Sequence, residues 1–94
     1  MVLEVALIDV MPGSEDDFRA AYGEARAVIA AAGGFRSARM TQGVETPTRF
    51  VLLVEWESVA DHEAFRAGEG FVRWRALIGA HFARPPHVEH FADL

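Results

Sequence analysis

The stretch that decides the fold runs from Thr48 to Glu57 and reads TRFVLLVEWE. It is rich in β-branched and aromatic residues, and this composition predicts a β-strand. Because successive side chains of a strand point to opposite faces, one face carries Phe50, Leu52, Val54 and Trp56, and the other carries Val51 and Leu53. An antiparallel sheet with one face in water alternates apolar and polar residues. Two apolar faces therefore predict a sheet that is covered on both sides.

The segments around this strand predict the order β-α-β-β-α-β, with the second helical layer broken in two. Gly68-Glu69-Gly70 makes that break, because glycine is a weak helix former. Ser14 with Asp17, and Ser58 with Asp61, have the spacing of capping boxes at helix starts. The strands are predicted at Val2–Val10, Phe35–Gln42, Thr48–Glu57 and His87–Ala92. The helices are predicted from Ser14 to Gly33-Gly34, from Ser58 to Ala67 and from Phe71 to Ala83.

This order, with short connections, predicts an α+β fold of the split βαβ type. The expected architecture is a four-stranded antiparallel sheet with its helices on one face, formed by residues 1–94 as a single domain. The helices of one subunit can cover only one face of the sheet. A second copy of the same sheet is the simplest cover for the other face, so a homodimer is expected.

Composition excludes several classes of protein. The formal net charge of −5 makes binding to phosphate backbones or anionic lipid unfavourable, so neither nucleic acid nor a membrane is an expected partner. All nine basic residues are arginine, which rules out a Schiff-base or P-loop lysine, and the absence of cysteine rules out thiolate chemistry. The amino-terminal stretch MVLEVALIDV has no basic leader region and is too short to span a bilayer, which predicts a cytoplasmic protein.

The four histidines do not have metal-binding spacing. The stretch that begins at His62 and reads HEAFR lacks the second histidine of the H-E-x-x-H motif. His87 and His90 lie three residues apart on a predicted strand, so their side chains point to opposite faces. No G-x-G-x-x-G sequence is present to bind a nucleotide. No metal, haem, flavin or other cofactor is therefore expected.

Five stretches of the chain together resemble the antibiotic biosynthesis monooxygenase family. They are PGSEDDF (12–18), VLLVEWES (51–58), DHEAFR (61–66), FVRWRALI (71–78) and PPHVEHF (85–91). The resemblance covers essentially the whole chain, and it implies a dimeric α/β barrel of ferredoxin-like subunits joined sheet to sheet. The family includes oxygenases that convert aromatic polyketides to quinones without metal or flavin, haem-degrading enzymes and quinol oxygenases. The resemblance thus implies a monooxygenase, which is an oxidoreductase that uses O2.

The chain departs from the family pattern at residues that matter for activity. Oxygenases of the family tend to use an asparagine beside a tryptophan, and this chain contains no asparagine. Trp74-Arg75 lies near the place of the axial histidine of the haem-degrading branch, and Phe65 lies near the place of its tryptophan. Haem degradation is therefore not expected. Quinone-forming chemistry stays open, because tryptophan, arginine, histidine and tyrosine side chains remain available.

The candidate site lies between the sheet and the broken helical layer, because a broken layer packs less completely on a sheet than a continuous helix. The residues expected to line it are Tyr22, Trp56, His62, Phe65, Trp74, Arg75 and His81. His81 lies in the apolar stripe of the last helix and is interpreted as the general base. Arg75 or the indole N–H of Trp74 is its expected oxyanion partner. Core packing of His81 is the alternative interpretation.

Three functions fit these features. The leading hypothesis is a cofactor-independent monooxygenase that oxidises a small aromatic or quinol-type substrate with O2. The alternatives are a non-catalytic protein that binds a small hydrophobic molecule, and an isomerase- or decarboxylase-like enzyme that transfers protons. The sequence does not separate these three hypotheses, and it does not identify the substrate.

Overall fold

A computed structural model describes residues 1–94, the whole chain. The strands are β1 (Val2–Asp9), β2 (Phe35–Gln42), β3 (Arg49–Trp56) and β4 (His87–Phe91). The helices are α1 (Glu15–Ala30), α2 (Val59–Arg66) and α3 (Glu69–Ile78), and a 3-10 turn follows at Gly79–His81. This order confirms the predicted ferredoxin-like α+β fold with a divided second helical layer. No helix is both long and apolar enough to cross a bilayer.

The four strands form one antiparallel sheet in the order β2-β3-β1-β4. In the register of β1 with β3, Ala6 lies opposite Leu52. In the register of β1 with β4, Glu4 lies opposite His90. Directly opposed residues share a face of the sheet, so the side chains of Glu4 and His90 point to the same side as Ala6 and Leu52.

The core lies between this side of the sheet and the helices. Its largest fully buried side chains include those of Phe18 and Ile29 from α1, Ile78 from α3, and Phe50 and Trp56 from β3. Each of these apolar side chains contributes roughly 1.5–3 kcal/mol by leaving water. The helices are thereby fixed against β1 and β3, the two central strands.

The opposite side of the sheet has no helix on it. Val51 and Leu53 are only partly buried there, Leu7 is 46% exposed and Phe91 is 48% exposed. The prediction that both faces of β3 are apolar is confirmed. An uncovered apolar surface of this kind is typical of an interaction site.

Two local predictions were wrong. Ser14 precedes α1, but its ψ of 6° is not the extended conformation that lets a side chain cap the helix, so no capping box with Asp17 forms. The last helix ends at Ile78 rather than Ala83, because Phe82 becomes extended and pairs with Val10 beyond the end of β1. The capping box at α2 is confirmed, since the side chain of Ser58 accepts a hydrogen bond from the backbone N–H of Asp61.

Candidate functional site

A cavity of about 230 Å³ lies between the sheet and the α2–α3 pair. Most of its wall is apolar, and the aromatic side chains that contribute to it are Phe65, Phe71, Trp74 and Phe82. Four ionisable side chains also reach it, namely Glu4, His62, Arg66 and Arg75. An apolar cavity with a few converging polar groups is the usual form of a small-molecule site.

A larger groove, of about 720 Å³, lies between α1 and the α2–α3 pair, but it is open to solvent. Its ionisable side chains are Glu24, Asp61 and Arg73, and none of the three is buried. The smaller cavity is therefore the candidate site, because only it contains buried ionisable groups.

Glu4 is a carboxylate in the buried layer of the sheet, where it is only 4% exposed. Its Oε1 accepts a hydrogen bond of 2.9 Å from the indole Nε1 of Trp56. Glu4 lines the cavity, and its other oxygen, Oε2, makes no hydrogen bond within the protein. Burial raises the pKa of Glu4, although the Trp56 hydrogen bond and the charge of Arg66 act in the opposite direction.

His62 bridges Glu4 and His90 through its two ring nitrogens. Its Nε2 lies 3.3 Å from Oε1 of Glu4, and its Nδ1 lies 2.7 Å from Nε2 of His90. The ring also stacks on Trp56, with a centroid distance of 5.0 Å. Burial, together with the nearby charges of His90 and Arg66, lowers the pKa of His62 to about 4. His62 is therefore neutral at pH 7, and one of its nitrogens donates a hydrogen bond while the other accepts one.

The local sequence explains why these groups meet. The Ser58 cap starts α2 next to the end of β3, and it places His62 over the sheet one turn later. Glu4 faces His62 because the period of two along β1 puts it on the same face as Ala6. His90 joins them because it lies opposite Glu4 in the pairing of β1 with β4.

Of the residues predicted to line the site, four lie around the cavity: His62, Phe65, Trp74 and Arg75. Trp56 is fully buried behind it and contacts both Glu4 and His62. The structure therefore brings five of the predicted residues together. Whether any of them acts in catalysis stays a prediction.

The other two predicted residues, Tyr22 and His81, do not line this cavity. Tyr22 packs edge to face against Trp74 at 6.3 Å and lines a separate shallow cleft on the far side of α1. His81 lies in the 3-10 turn after α3, with its ring 6.4 Å from the ring of Phe18. The proposed role of His81 as a base is untested, and its position favours the packing interpretation.

Sequence reasoning missed Glu4 and His90. The signal for Glu4 was available, because it is the one charged residue in the alternating set that also contains Ala6 and Ile8. A carboxylate in the apolar set of a strand indicates a buried, partnered group. No comparable signal marks His90, because its partner depends on how α2 lies on the sheet.

The chain holds no group of three or more histidine or acidic side chains that is arranged to bind a metal ion.

The family model described as antibiotic biosynthesis monooxygenase matches residues 1–77. The chain belongs to the antibiotic biosynthesis monooxygenase family. It is 34% identical over 95 residues to the uncharacterised protein YczJ of Bacillus subtilis, and the match covers 100% of each sequence. These sequence matches establish the family.

Solved structures show the same fold. A Bordetella bronchiseptica protein classed as an antibiotic biosynthesis monooxygenase has a TM-score of 0.96 and 38% identity, and the match covers 99% of this chain and 96% of that one. SnoaB of Streptomyces nogalater, a cofactor-independent oxygenase, has a TM-score of 0.86 and 17% identity, over 99% of this chain and 92% of its own. At that identity the likeness to SnoaB concerns the fold alone.

Proposed function

We propose that this family member is a cofactor-independent monooxygenase that oxidises a small aromatic or quinol-type substrate with O2. The observation that carries the proposal is the Glu4–His62 pair, which lies buried at the wall of an aromatic cavity. Such a substrate supplies the electrons itself once it is deprotonated. The protein then has to provide a base, donors for developing negative charge and an environment that excludes water.

Glu4 is the proposed base. Glu4 lines the cavity and its Oε2 makes no hydrogen bond within the protein, so this oxygen can accept the proton of a substrate hydroxyl. Burial raises the pKa of Glu4, which makes the carboxylate a stronger base than an exposed one. The Trp56 indole and the neutral ring of His62 contact Oε1, and they leave Oε2 free to accept the substrate proton.

The reaction balances without another reductant. Removal of the hydroxyl proton gives a phenolate, which passes one electron to O2, and the two radicals then join in a new C–O bond. Loss of the ring proton from that carbon breaks the O–O bond and leaves a carbonyl. One oxygen atom of O2 stays in the product, and the other leaves as water with the two hydrogens of the substrate. Glu4 takes up these protons and returns them within one turnover.

The cavity fits a compact substrate. Its volume of about 230 Å³ lies below the roughly 300–1,000 Å³ of sites that take drug-sized ligands. Phe65 and Trp74 are both buried and provide flat apolar walls against which an aromatic ring can stack. A substrate of one or two rings therefore suits the cavity best.

The test is O2 uptake with naphthalene-1,4-diol, measured for the wild type, Glu4→Gln and Glu63→Gln. Glu63 is the matched control, because it is an exposed glutamate of α2 next to His62. Glu4→Gln should lower the rate above the uncatalysed background by about 10²–10⁴-fold, as expected for loss of a general base. Equal rates for the wild type and Glu4→Gln, or no uptake above background with any quinol, would contradict the proposal.

A proton-transfer enzyme of the isomerase or decarboxylase type is the second candidate, and the same Glu4–His62 pair favours it. An isomerase of this kind would exchange an acidic C–H of its substrate for deuterium in D2O, and a decarboxylase would release CO2 and take up deuterium at the carbon that lost it, in both cases without consuming O2. The two candidates are thus separated by one pair of measurements on the same substrate. Ligand-induced stabilisation of the fold without either reaction would indicate a binding protein.

We also propose that two copies of the chain stack through the sheet face that carries no helix. The support is the apolar surface of Leu7, Val51, Leu53 and Phe91, which is partly or largely exposed in one subunit. Full burial of an exposed side chain of this kind contributes about 1.5–3 kcal/mol, and burial of the exposed part of each of these side chains in a partner would contribute a share of that. A face-to-face pair of sheets has twofold symmetry, which closes the assembly at a dimer.

A further inference from the structure

The cavity is lined by one buried acidic side chain and by two exposed arginines. Glu4 is 4% exposed, whereas Arg66 and Arg75 are exposed at the rim, and all three line the same cavity. The rim is thus positive, although the chain as a whole has a formal charge of −5.

The two rim arginines are held beside an aromatic ring and have no acidic partner. The guanidinium carbons of Arg66 and Arg75 lie 6.0 Å and 5.8 Å from the centre of the Phe71 ring, which is part of the cavity wall. Four other arginines form ion pairs with acidic side chains, and neither Arg66 nor Arg75 does. Their donors are therefore available to a ligand.

We propose that the natural ligand is an aromatic anion whose carboxylate or phosphate binds between Arg66 and Arg75, with its ring inside the cavity. The planar guanidinium group matches both kinds of anion through paired hydrogen bonds. This inference deepens the proposed function, on which it rests for the choice of cavity. It concerns binding, so it is tested without turnover.

The charge arrangement also fixes the orientation of the ligand. A negative group next to Glu4 would meet its carboxylate, and like charges repel strongly where water is excluded. A neutral hydroxyl there can instead donate a hydrogen bond to Oε2 of Glu4. The ligand therefore carries its reacting hydroxyl next to Glu4 and its anionic group at a different position of the ring system, next to the arginines.

Calorimetric titration with three stable probes tests the inference: 6-hydroxy-2-naphthoate, 2-naphthyl phosphate and neutral 2-naphthol. The variants are Arg66→Gln, Arg75→Gln and the control Arg73→Gln. Arg73 is a matched control because it lies on α3, is exposed and lines the open groove instead of the cavity. Arg75→Lys keeps the charge and shows whether the paired hydrogen bonds of arginine are needed.

At least one anionic probe should bind the wild type more tightly than 2-naphthol. Loss of Arg66 or Arg75 should weaken that binding by about three- to tenfold each, while Arg73→Gln should leave it unchanged. Equal affinity for all three probes, or equal losses in Arg73→Gln and Arg75→Gln, would overturn the inference.

Tight binding of an anionic probe without O2 uptake by any hydroxylated analogue would contradict only the proposed oxidation. Oxidation of neutral quinols without a preference for anions would contradict only this inference.

Discussion

Replacing His62 with glutamine should remove a pH-dependent loss of stability. The unfolded chain takes up a proton on this imidazole with a pKa of 6.5, whereas the folded chain does so only at about 4, because the ring is buried. Between these values the unfolded state binds more protons, so the free energy of unfolding falls as pH falls. Above pH 6.5 the His62 imidazole does not lower the free energy of unfolding, and below pH 4 it lowers that free energy by the full amount.

The expected size follows from the two pKa values. Each pKa unit corresponds to about 1.4 kcal/mol, so lowering the pH from 7.5 to 5.0 should cost the wild type about 2 kcal/mol through His62. Glu4 acts in the opposite direction, because its raised pKa makes folding take up a proton as the pH falls. Glu4 is present in both chains, and glutamine keeps an N–H donor beside it, so the difference between the wild type and His62→Gln reports chiefly on the imidazole.

Urea unfolding followed by tryptophan fluorescence at equal protein concentration measures this difference. Between pH 7.5 and pH 5.0 the free energy of unfolding of the wild type should fall by about 2 kcal/mol more than that of His62→Gln. His87→Gln is the control, because the His87 side chain is 68% exposed and its loss removes no buried group. A constant gap between the wild type and His62→Gln over this range would refute the claim that the His62 ring is buried and neutral.

Three further variants test other parts of the structure. Leu53→Asp places a charge on the helix-free face of the sheet, so sedimentation velocity should show a dimer for the wild type and a monomer or aggregate for the variant. His81→Ala should keep the O2 uptake rate within about twofold, whereas a fall of about 10²–10⁴-fold would support the sequence-based assignment of His81 as base. Gly34→Ala should lower the free energy of unfolding by about 1–3 kcal/mol, because Gly34 has a φ of +81° and a Cβ there would collide with Asp61. Gly33→Ala, with open space around it, should cost less by the same urea assay.

Most of the fold follows from patterns within single segments. The alternation of side chains along β3 predicted that every second residue up to Trp56 is buried. The spacing of Ser58 and Asp61 predicted the start of α2. The errors arose where distant segments meet. The end of α3 is set by the pairing of Phe82 with Val10, and no local pattern near residue 82 reveals that contact.

The site was less predictable than the fold. His62 and Trp74 both line the cavity, because both lie on apolar helix stripes next to the glycine break. Tyr22 lies on the helix α1 and packs against Trp74 from outside the cavity, because periodicity predicts the face of a helix but not the residue that it contacts. His81 lies in the 3-10 turn beyond the end of α3, so the predicted helix stripe does not extend to it, and its ring lies beside Phe18. The contacts of Glu4 with His62 and of His62 with His90 join three separate elements, and only the assembled sheet brings them together.

Isotope labelling tests the central claim most directly. Naphthalene-1,4-diol is incubated with the protein under ¹⁸O2, and the product and water are analysed by mass spectrometry. The proposed reaction forms 2-hydroxy-1,4-naphthoquinone that carries one labelled oxygen atom, with the second labelled atom in water and no hydrogen peroxide. Glu4→Gln should abolish this labelled product, while Glu63→Gln should form it at the wild-type rate. An unlabelled quinone accompanied by hydrogen peroxide, or equal labelled product from the wild type and Glu4→Gln, would contradict the account.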